Sequence, residues 1–404
     1  SALEASFAPD SPSDFATVVA NCDDSGPGSL RDAIANTDDG GHVDLRALAC
    51  STITLDTAIA VDAIDVYLDG PGRDRLTIDG AGYTRLFEGG TGHRLTLTGL
   101  RLANGYAAGD GGCILSDGEV SVVDSLITGC HAHTGPFQAR GGAISAAYLR
   151  LQESTLRANV VESDSSYAKG GGFYALDTNT FYSTLDSNDA RSTYSRGFGG
   201  GAFVRRSGAF IGVAVTRNHA TNAAGLSFVG GDPYSSFVTE STISGNVADA
   251  FIGGIYTHAS GAISNSTIAF NCANQTEVQP GYIAAVGLEL FQSYASLTST
   301  IVSNNDLCAA SRAVQGSAYD VAARGTAGVT GDHSLVVTST TPLPPDTIRS
   351  DPMLVPLADN GGLMQTHALL AGSPAIDAGY ASLAVPWDGR WHWYPRTSGI
   401  AADI

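Results

Sequence analysis

Short apolar stretches with alternating polar positions recur along the whole chain, and glycine-rich turns separate them. A period of two is typical of half-buried β-strands, whereas helical periodicity is nearly absent. The one clear helix candidate follows Ser29, which can cap it, and Leu30, Ala33 and Ile34 then form one apolar face. The sequence therefore predicts an all-β protein of many short strands, with one short helix near its N-terminus.

A phrase of the form Ser-x-hydrophobic-x-x-Asn repeats through the chain, as in "STLRAN" at 154–159 and "STLDSN" at 183–188. The two segments are 29 residues apart, and a repeat of about this length with short strands is typical of one coil of a parallel β-helix. Leucine-rich repeats have a similar length, but their leucine pattern is missing from this sequence. An asparagine at a bend tolerates left-handed backbone and can bond the next coil through its amide. We therefore expect these residues to stack in one line, which Cys130 would extend: Asn159, Asn188, Asn218, Asn246, Asn271 and Asn304.

A second phrase, two glycines followed by an apolar strand, interleaves with the first, for example at 111–115, 141–145 and 171–175. With the second glycine as position zero, positions one and three are mostly small or apolar and are predicted to face inward. Position two then faces outward, as an aromatic row with one residue per coil, about 4.8 Å apart. Its predicted members are Ile114, Ile144, Tyr174, Phe203, Ser227, Tyr256 and Glu289.

The net charge of −19 makes nucleic-acid binding improbable, because an acidic protein repels phosphate backbones. No apolar run approaches the ~20 residues that span a bilayer. The chain begins at Ser1 rather than Met, so we expect that a leader has been removed or lies outside the sequence.

Six cysteines occur without any CxxC pair, which favours disulfides over a zinc or redox motif. Fifteen connectivities are possible for six cysteines. Pairing of neighbours in sequence is the simplest, and it would join 22 to 50, 113 to 130 and 272 to 308. Three disulfides would indicate an exported protein.

The segments "DDSGPGSLRDAI" and "GPGRDRLTIDGAG", followed by the asparagine coils, resemble the secreted right-handed parallel β-helix repeat proteins of bacteria, which include polymorphic outer-membrane-protein-like surface proteins. The stretch "DPMLVPLADNGGLMQTHALLAGSPAIDAG" at 351–379 resembles the choice-of-anchor ending. The resemblance implies one right-handed β-helix that is secreted or displayed at the cell surface. We expect a cap and first strands at 1–60, coils at 61–340 and a capping segment at 341–404, in a monomer.

Lys169 is the only lysine of the chain, and it precedes its glycines where Arg140 precedes the equivalent pair one coil earlier. Aromatic faces bind sugar rings and cations bind uronate carboxylates. Related β-helix polysaccharide lyases use Lys or Arg as the base of a β-elimination, and this resemblance implies a lyase acting on a uronate-containing polysaccharide. The predicted catalytic residues are Lys169, Arg196, Tyr174, Arg205 and His258; the predicted substrate-binding residues are Arg140, Phe203, Tyr256 and Glu289.

Other interpretations stay open at this point. The basic residues can be solvated turn residues on a non-catalytic surface or adhesion protein. A glycoside hydrolase would need two carboxylates across a groove, and Glu289 is the best-placed outward acid. No cofactor is expected, although the acid pairs at 23–24 and 38–39 could hold Ca²⁺. The "HAH" at 131–133 is interpreted as part of a polar loop, and "RWHWYPR" at 390–396 as a cap over the last coil.

Overall fold

The chain coils into a parallel β-solenoid of about 10 turns with almost no helix, which confirms the predicted fold class. The computed structural model describes residues 16–61, 64–194, 196–230, 235–274, 284–308, 318–380, 388, 390, 394–395 and 402–404. The right-handed sense stays a prediction, supported by the usual hand of parallel crossover connections. The division into a cap, coils and a C-terminal segment also stays a prediction.

Four parallel sheets run along the solenoid. The first sheet contains Thr17–Val18, Gly41–Asp44, Ile59–Val61, Val66–Asp69, Phe87–Gly89, Arg94–Thr98, Ile114–Val123, Ile144–Gln152, Phe173–Phe181, Ala202–Val204, Gly208–Ile211, Leu226–Phe228, Ser235–Thr239, Ile255–Thr257, Ser260–Ser264, Ala284–Phe291, Tyr294–Thr298, Ala318–Arg324 and Gly328–Asp332. The second sheet contains Thr52–Thr54, Thr77–Asp79, Arg101–Ala103, Leu126–Thr128, Thr155–Arg157, Thr184–Asp186, Ala214–Thr216, Thr242–Ser244, Thr267–Ala269, Ile301–Ser303 and Leu335–Val336. The third sheet contains Tyr106–Ala107, His131–Thr134, Val160–Ser163, Asp189–Ser192, His219–Ala220, Val247–Ala248, Cys272–Ala273 and Asp306–Leu307. The fourth sheet contains only Ala139–Arg140, Ala168–Lys169 and Gly197–Phe198.

A ladder of buried asparagines runs through the solenoid, one per coil, as the repeat predicts. Asn188 is fully buried, and its Oδ1 accepts from both the backbone N–H and the Nδ2 of Asn159, at 3.1 and 2.9 Å. Its own Nδ2 donates to the carbonyl of Leu156 and to Oδ1 of Asn218. Each amide thus joins three consecutive coils and leaves few polar atoms unpaired inside the core.

The last step of the predicted ladder is wrong by one residue. Asn271 donates to Oδ1 of Asn305, at 2.9 Å from its Nδ2, whereas Asn304 is exposed. Asn305 in turn donates to Asp320, which ends the line. The left-handed conformation falls one position before each buried asparagine, on residues including Ala158, Ser187, Arg217, Phe270 and Asn304 (φ 59°), so among the predicted asparagines only Asn304 has it within the described residues.

The predicted register of the glycine phrase is wrong in two coils. Ile114 and Ile144, which the sequence places outward, pair with each other and are fully buried in the core, and Ile144 pairs with the buried Phe173 of the next coil. The positions that align are the left-handed glycines, such as Gly141 (φ 68°) and Gly170 (φ 77°). Gly172 occupies the place of Ala143, so aligning the glycine pair of one coil on the last two of three glycines in the next shifts the register by one residue.

The predicted helix and disulfides are present. Helix Leu30–Ala35 has Ser29 as its N-cap, and Leu30, Ala33 and Ile34 are buried in the main core. Disulfides join Cys22 to Cys50, Cys113 to Cys130 and Cys272 to Cys308, which confirms the simplest pairing. Since Cys130 also donates its N–H to Asn159, this disulfide sits at the first step of the asparagine ladder.

The C-terminal segment lies along the second sheet. Two side chains of the segment 351–380 contact residues in or next to that sheet. Gln365 accepts a hydrogen bond from Arg217, and Nε2 of His367 lies 2.8 Å from Oγ of Ser244. Most of "RWHWYPR" falls outside the described residues. Of the rest, Arg390 pairs with Asp388 and lies over the ring of Tyr394.

An adjacent pair of asparagines tests the corrected ladder. Asn305→Ala removes the acceptor of Asn271 and the donor to Asp320, so we expect a loss of about 3 kcal/mol or more in the free energy of unfolding. Asn304→Ala removes no ladder bond and should cost about 1 kcal/mol, because only its left-handed backbone is affected. Urea unfolding of both variants measures the difference. Equal losses would contradict the corrected register.

Charged side chains cover the outer face of the third sheet. His219 lies between two carboxylates, with Nδ1 2.8 Å from Asp189 and Nε2 3.0 Å from Asp249. Hydrogen bonding to Asp189 outweighs burial and, with the charges of both carboxylates, raises the pKa of His219 to about 9. Arg191, which also binds Asp189, is the other cation of this group.

Stability should therefore fall in the alkaline range. A folded pKa near 9 against an unfolded value of about 6.5 gives stabilisation that is complete below pH 6.5 and is lost as pH rises through 9. With discounting for solvent, the loss amounts to about 2 kcal/mol. Urea midpoints at a series of pH values measure it, and His219→Gln should flatten this part of the curve. An unchanged curve in that variant would contradict the assignment.

Candidate functional site

An aromatic row does run along the first sheet, but its central members are covered. Tyr174 pairs with Phe203, and their rings stack 5.6 Å apart at 12°. They are only 7% and 2% exposed. The expectation of an outer-surface ladder is therefore wrong for these two residues. In the observed register, Ser145 pairs with Tyr174 in the coil before, and Ser227 pairs with Phe203 in the coil after, so these serines continue the row.

The fourth sheet places basic residues over this row. Ala139 and Ala168 are fully buried in a small alanine-rich cluster with residues of the third sheet, including Ala132. Because side chains alternate along a strand, the next residues, Arg140 and Lys169, point to the opposite face. Arg140 and Lys169 are paired neighbours in consecutive coils, as the sequence predicts.

The cations rest on aromatic faces. The Arg140 guanidinium lies 5.2 Å from the ring centre of Tyr174, and Lys169 Nζ lies 5.0 Å from that of Phe203. A cation over an aromatic face at this distance is attracted by the ring quadrupole. The buried rings therefore form a floor that holds the two cations, rather than the sugar platform that the sequence predicts.

The exposed Tyr167 and the half-buried Gln138 complete the cluster, and the sequence reasoning gave neither of them a role. Tyr167 has Lys169 Nζ on its ring at 5.0 Å and the guanidinium of Arg196 also at 5.0 Å. Gln138 accepts a hydrogen bond from Lys169 Nζ at 3.0 Å. Tyr167 stands two positions before Lys169 in "YAKGGG", so alternation along the strand was the only signal that could have found it.

The electrostatics of the cluster are unusual for so acidic a protein. Within the described part of the chain, no carboxylate lies within ion-pair distance of Lys169, Arg196 or Arg205. The Arg140 guanidinium lies 3.8 Å from one carboxylate oxygen of Asp110, and the other oxygen accepts from the Arg140 backbone N–H at 2.8 Å. Burial, together with the charges of Arg140 and Arg205, lowers the pKa of Lys169 to about 8. The cluster thus offers an amine whose pKa lies closer to neutrality than that of an ordinary lysine, near Arg140 and Arg205.

The remaining predicted residues lie further along the row. Tyr256 approaches the cluster through Phe198, with ring centres 6.2 Å apart. Glu289 follows Tyr256 in the row, but it is 3% exposed and pairs with Arg324 at 3.2 Å, so it is not the outward acid that the sequence predicts. Burial raises the pKa of Glu289 to about 7. His258 follows the strand of Tyr256 and packs edge-on against Phe291.

The other candidate ligand groups lie away from this cluster. His131 and His133 occupy a strand of the third sheet rather than a loop, beside Glu162 and Asp164. Asp39, Asp65 and His93 bring ligand atoms within 4.8 Å of one another. The predicted calcium site stays a prediction. A cavity of about 470 Å³ lies between the second sheet and the C-terminal segment, and Glu240, His367, Asp377, Arg390 and Asp403 are among its lining residues.

Comparisons with known proteins give one structural likeness. No protein-family model matches the chain, and no curated protein matches it. Among solved structures, the fold is similar to that in "Crystal structure of pectate lyase Pel9A", with a TM-score of 0.41 and 11% identity over 96% of each chain. The argument for function therefore rests on the side chains of the cluster. No helix among the described residues is long and apolar enough to cross a membrane.

The single lysine permits a direct test of the cluster's electrostatics. In protein labelled with ¹³C at the lysine ε-carbon, one signal should titrate near pH 8, the pKa that burial and two arginines give Lys169. Arg140→Gln removes one repelling charge, so the pKa should rise towards 10.4. Arg157→Gln, on the second sheet, is the matched control and should leave the titration unchanged. A midpoint near 10.4 in the unmodified protein would contradict the predicted environment.

Proposed function

We propose that the protein is an exported polysaccharide lyase that cleaves a uronate-containing glycan by β-elimination, with Lys169 as the base. The observation that carries the proposal is the half-buried amine of Lys169, which lies over the ring of Phe203 near Arg140 and Arg205, has a lowered pKa and has no carboxylate partner among the described residues. A base near neutrality and a preformed anion site are the two features that this reaction needs. The three disulfides support export, because such bonds persist in oxidising compartments.

In the proposed reaction, neutral Lys169 takes the proton from C5 of a uronate. The C5–H electron pair forms the C4–C5 double bond while the bond from C4 to the glycosidic oxygen breaks. Arg140 and Arg205 bind the carboxylate, whose negative charge grows as the proton leaves. The departing oxygen takes a proton from a general acid, a role proposed for Tyr174, Tyr256 or His258.

Hydrolysis has less support from the same residues. A hydrolase needs one acid and one second carboxylate on either side of the glycosidic bond. Near the cluster, Asp110 accepts from the backbone N–H of Arg140 at 2.8 Å, and Glu289 is buried beside Arg324. Both carboxylates are thus occupied by contacts within the protein. A non-catalytic surface protein would bind the same glycan without cleaving it.

The test is cleavage of polygalacturonate and alginate, with neutral galactan as the control, followed by the ultraviolet absorbance of unsaturated uronate. Lys169→Ala should lower the rate at least 1,000-fold, within the range that a general base and its positioning contribute. Arg157→Gln should retain full activity, because it lies on another sheet. Undiminished activity in Lys169→Ala would sink the assignment. New reducing ends without absorbance would indicate hydrolysis, and binding without either would indicate an adhesion protein.

The pH profile gives an independent prediction. Only the neutral amine can accept a proton, and the pKa of Lys169 is about 8. The rate at low substrate should therefore rise about tenfold per pH unit below pH 8 and level off above it, because kcat/KM reports the free enzyme. In Arg140→Gln this rise should move to higher pH. A profile that is flat between pH 6 and 9 would rule out Lys169 as the base.

A further inference from the structure

We propose that Phe137, Tyr167 and Tyr194 form an aromatic rail that binds sugar rings of an anionic polysaccharide beyond the unit held at Lys169. This inference rests on the proposed function and extends it to how the polymer lies on the protein. The side chains are 73%, 38% and 63% exposed. Large aromatic side chains exposed together on adjacent loops are typical of a binding surface.

The three residues come from the same loop of three consecutive coils. Each loop joins a strand of the third sheet to a strand of the fourth, and Ala139, Ala168 and Gly197 are paired at the ends of the loops. Consecutive coils of a parallel sheet are about 4.8 Å apart. The rail therefore spans three consecutive coils, with Phe137, Tyr167 and Tyr194 two, one and three residues before these paired positions.

Serine side chains hydrogen-bond to the backbone of these loops. Ser163, which is fully buried, donates from Oγ to the carbonyl of Phe137 at 2.8 Å. Ser192, its partner in the next coil, donates to the carbonyl of Ser166 at 2.6 Å and accepts from the N–H of Tyr194. A loop fixed before binding loses little conformational entropy when ligand arrives.

Charge identifies the occupant as an anionic chain. Tyr167, the inner member of the rail, has Lys169 and Arg196 on its ring. Neither cation has a carboxylate partner within the described residues. A polyuronate supplies sugar faces for the aromatic rings and a carboxylate on each unit for the cations. A neutral polysaccharide would use the rings alone.

Binding of a polymer and of a short oligomer separates the rail from the catalytic cluster. The probes are polygalacturonate and trigalacturonate, measured by calorimetry with a doubly substituted variant, Phe137→Ala with Tyr194→Ala. We expect its Kd for polygalacturonate to rise about tenfold, as for loss of interface aromatics, and its Kd for trigalacturonate to change less than twofold. Phe137→Tyr with Tyr194→Phe should restore polymer binding, because the rings are kept.

A matched control removes two exposed aromatics elsewhere on the solenoid, Tyr83 (55% exposed) and Tyr294 (50%), and should change neither Kd. Thermal unfolding checks that every variant is folded. An unchanged Kd for polymer in Phe137→Ala with Tyr194→Ala, or an equal loss for both probes, overturns the rail. If that happens while Lys169→Ala still abolishes cleavage, the proposed function stands without it. If the unmodified protein binds neither probe, the rail proposal fails, and the cleavage assay on polygalacturonate and alginate decides the proposed function separately.

Discussion

The stacking of equivalent positions from coil to coil is the constraint on which the rest of the structure depends. Parallel pairing fixes each residue above its counterpart, and the asparagine amides repeat that register inside the core. A residue type that recurs at one position of every coil forms a row of side chains along the solenoid. A residue type that occurs in one coil alone lies between the equivalent residues of the coils before and after it. Lys169 is next to Arg140 for this reason alone. Chemistry in such a fold is built by substituting single positions in a repeated frame.

The repeat made the architecture predictable from the sequence. The structure contains three features that follow from local rules: the period of the asparagines, the pairing of cysteines that are neighbours in sequence, and the helix with Ser29 as its N-cap residue. The errors came from register. Asn304 and Asn305 are both compatible with the phrase, and only coil-to-coil pairing distinguishes them. The third glycine before Phe173, which takes the place of Ala143, had the same effect, because an alignment shifted by one residue reverses the predicted faces of a strand.

Burial of the aromatic row could not be read from the sequence, because the cause is long-range. The fourth sheet has strands of only two residues, which are too short to show any periodicity. Its alanines let it pack closely on the third sheet, and this packing carries Arg140 and Lys169 onto Tyr174 and Phe203. The sequence thus brings the right residue types to the right coils, whereas tertiary packing decides which of them touch solvent.

Lys169 lacks a carboxylate partner among the described residues, and this lack has both a cost and a use. Two like charges about 5 Å apart repel by about 3 kcal/mol at an effective dielectric of 20, and a carboxylate from the acidic surface would relieve that repulsion. Such a carboxylate would also occupy the anion site and raise the pKa of Lys169. The aromatic floor offers a weaker attraction that leaves the outer faces of the cations open. A uronate bound by the arginines would then supply the missing negative charge. Its carboxylate should contact Arg140 or Arg205 rather than Lys169, because direct contact would favour the protonated form of the amine that we propose as the base.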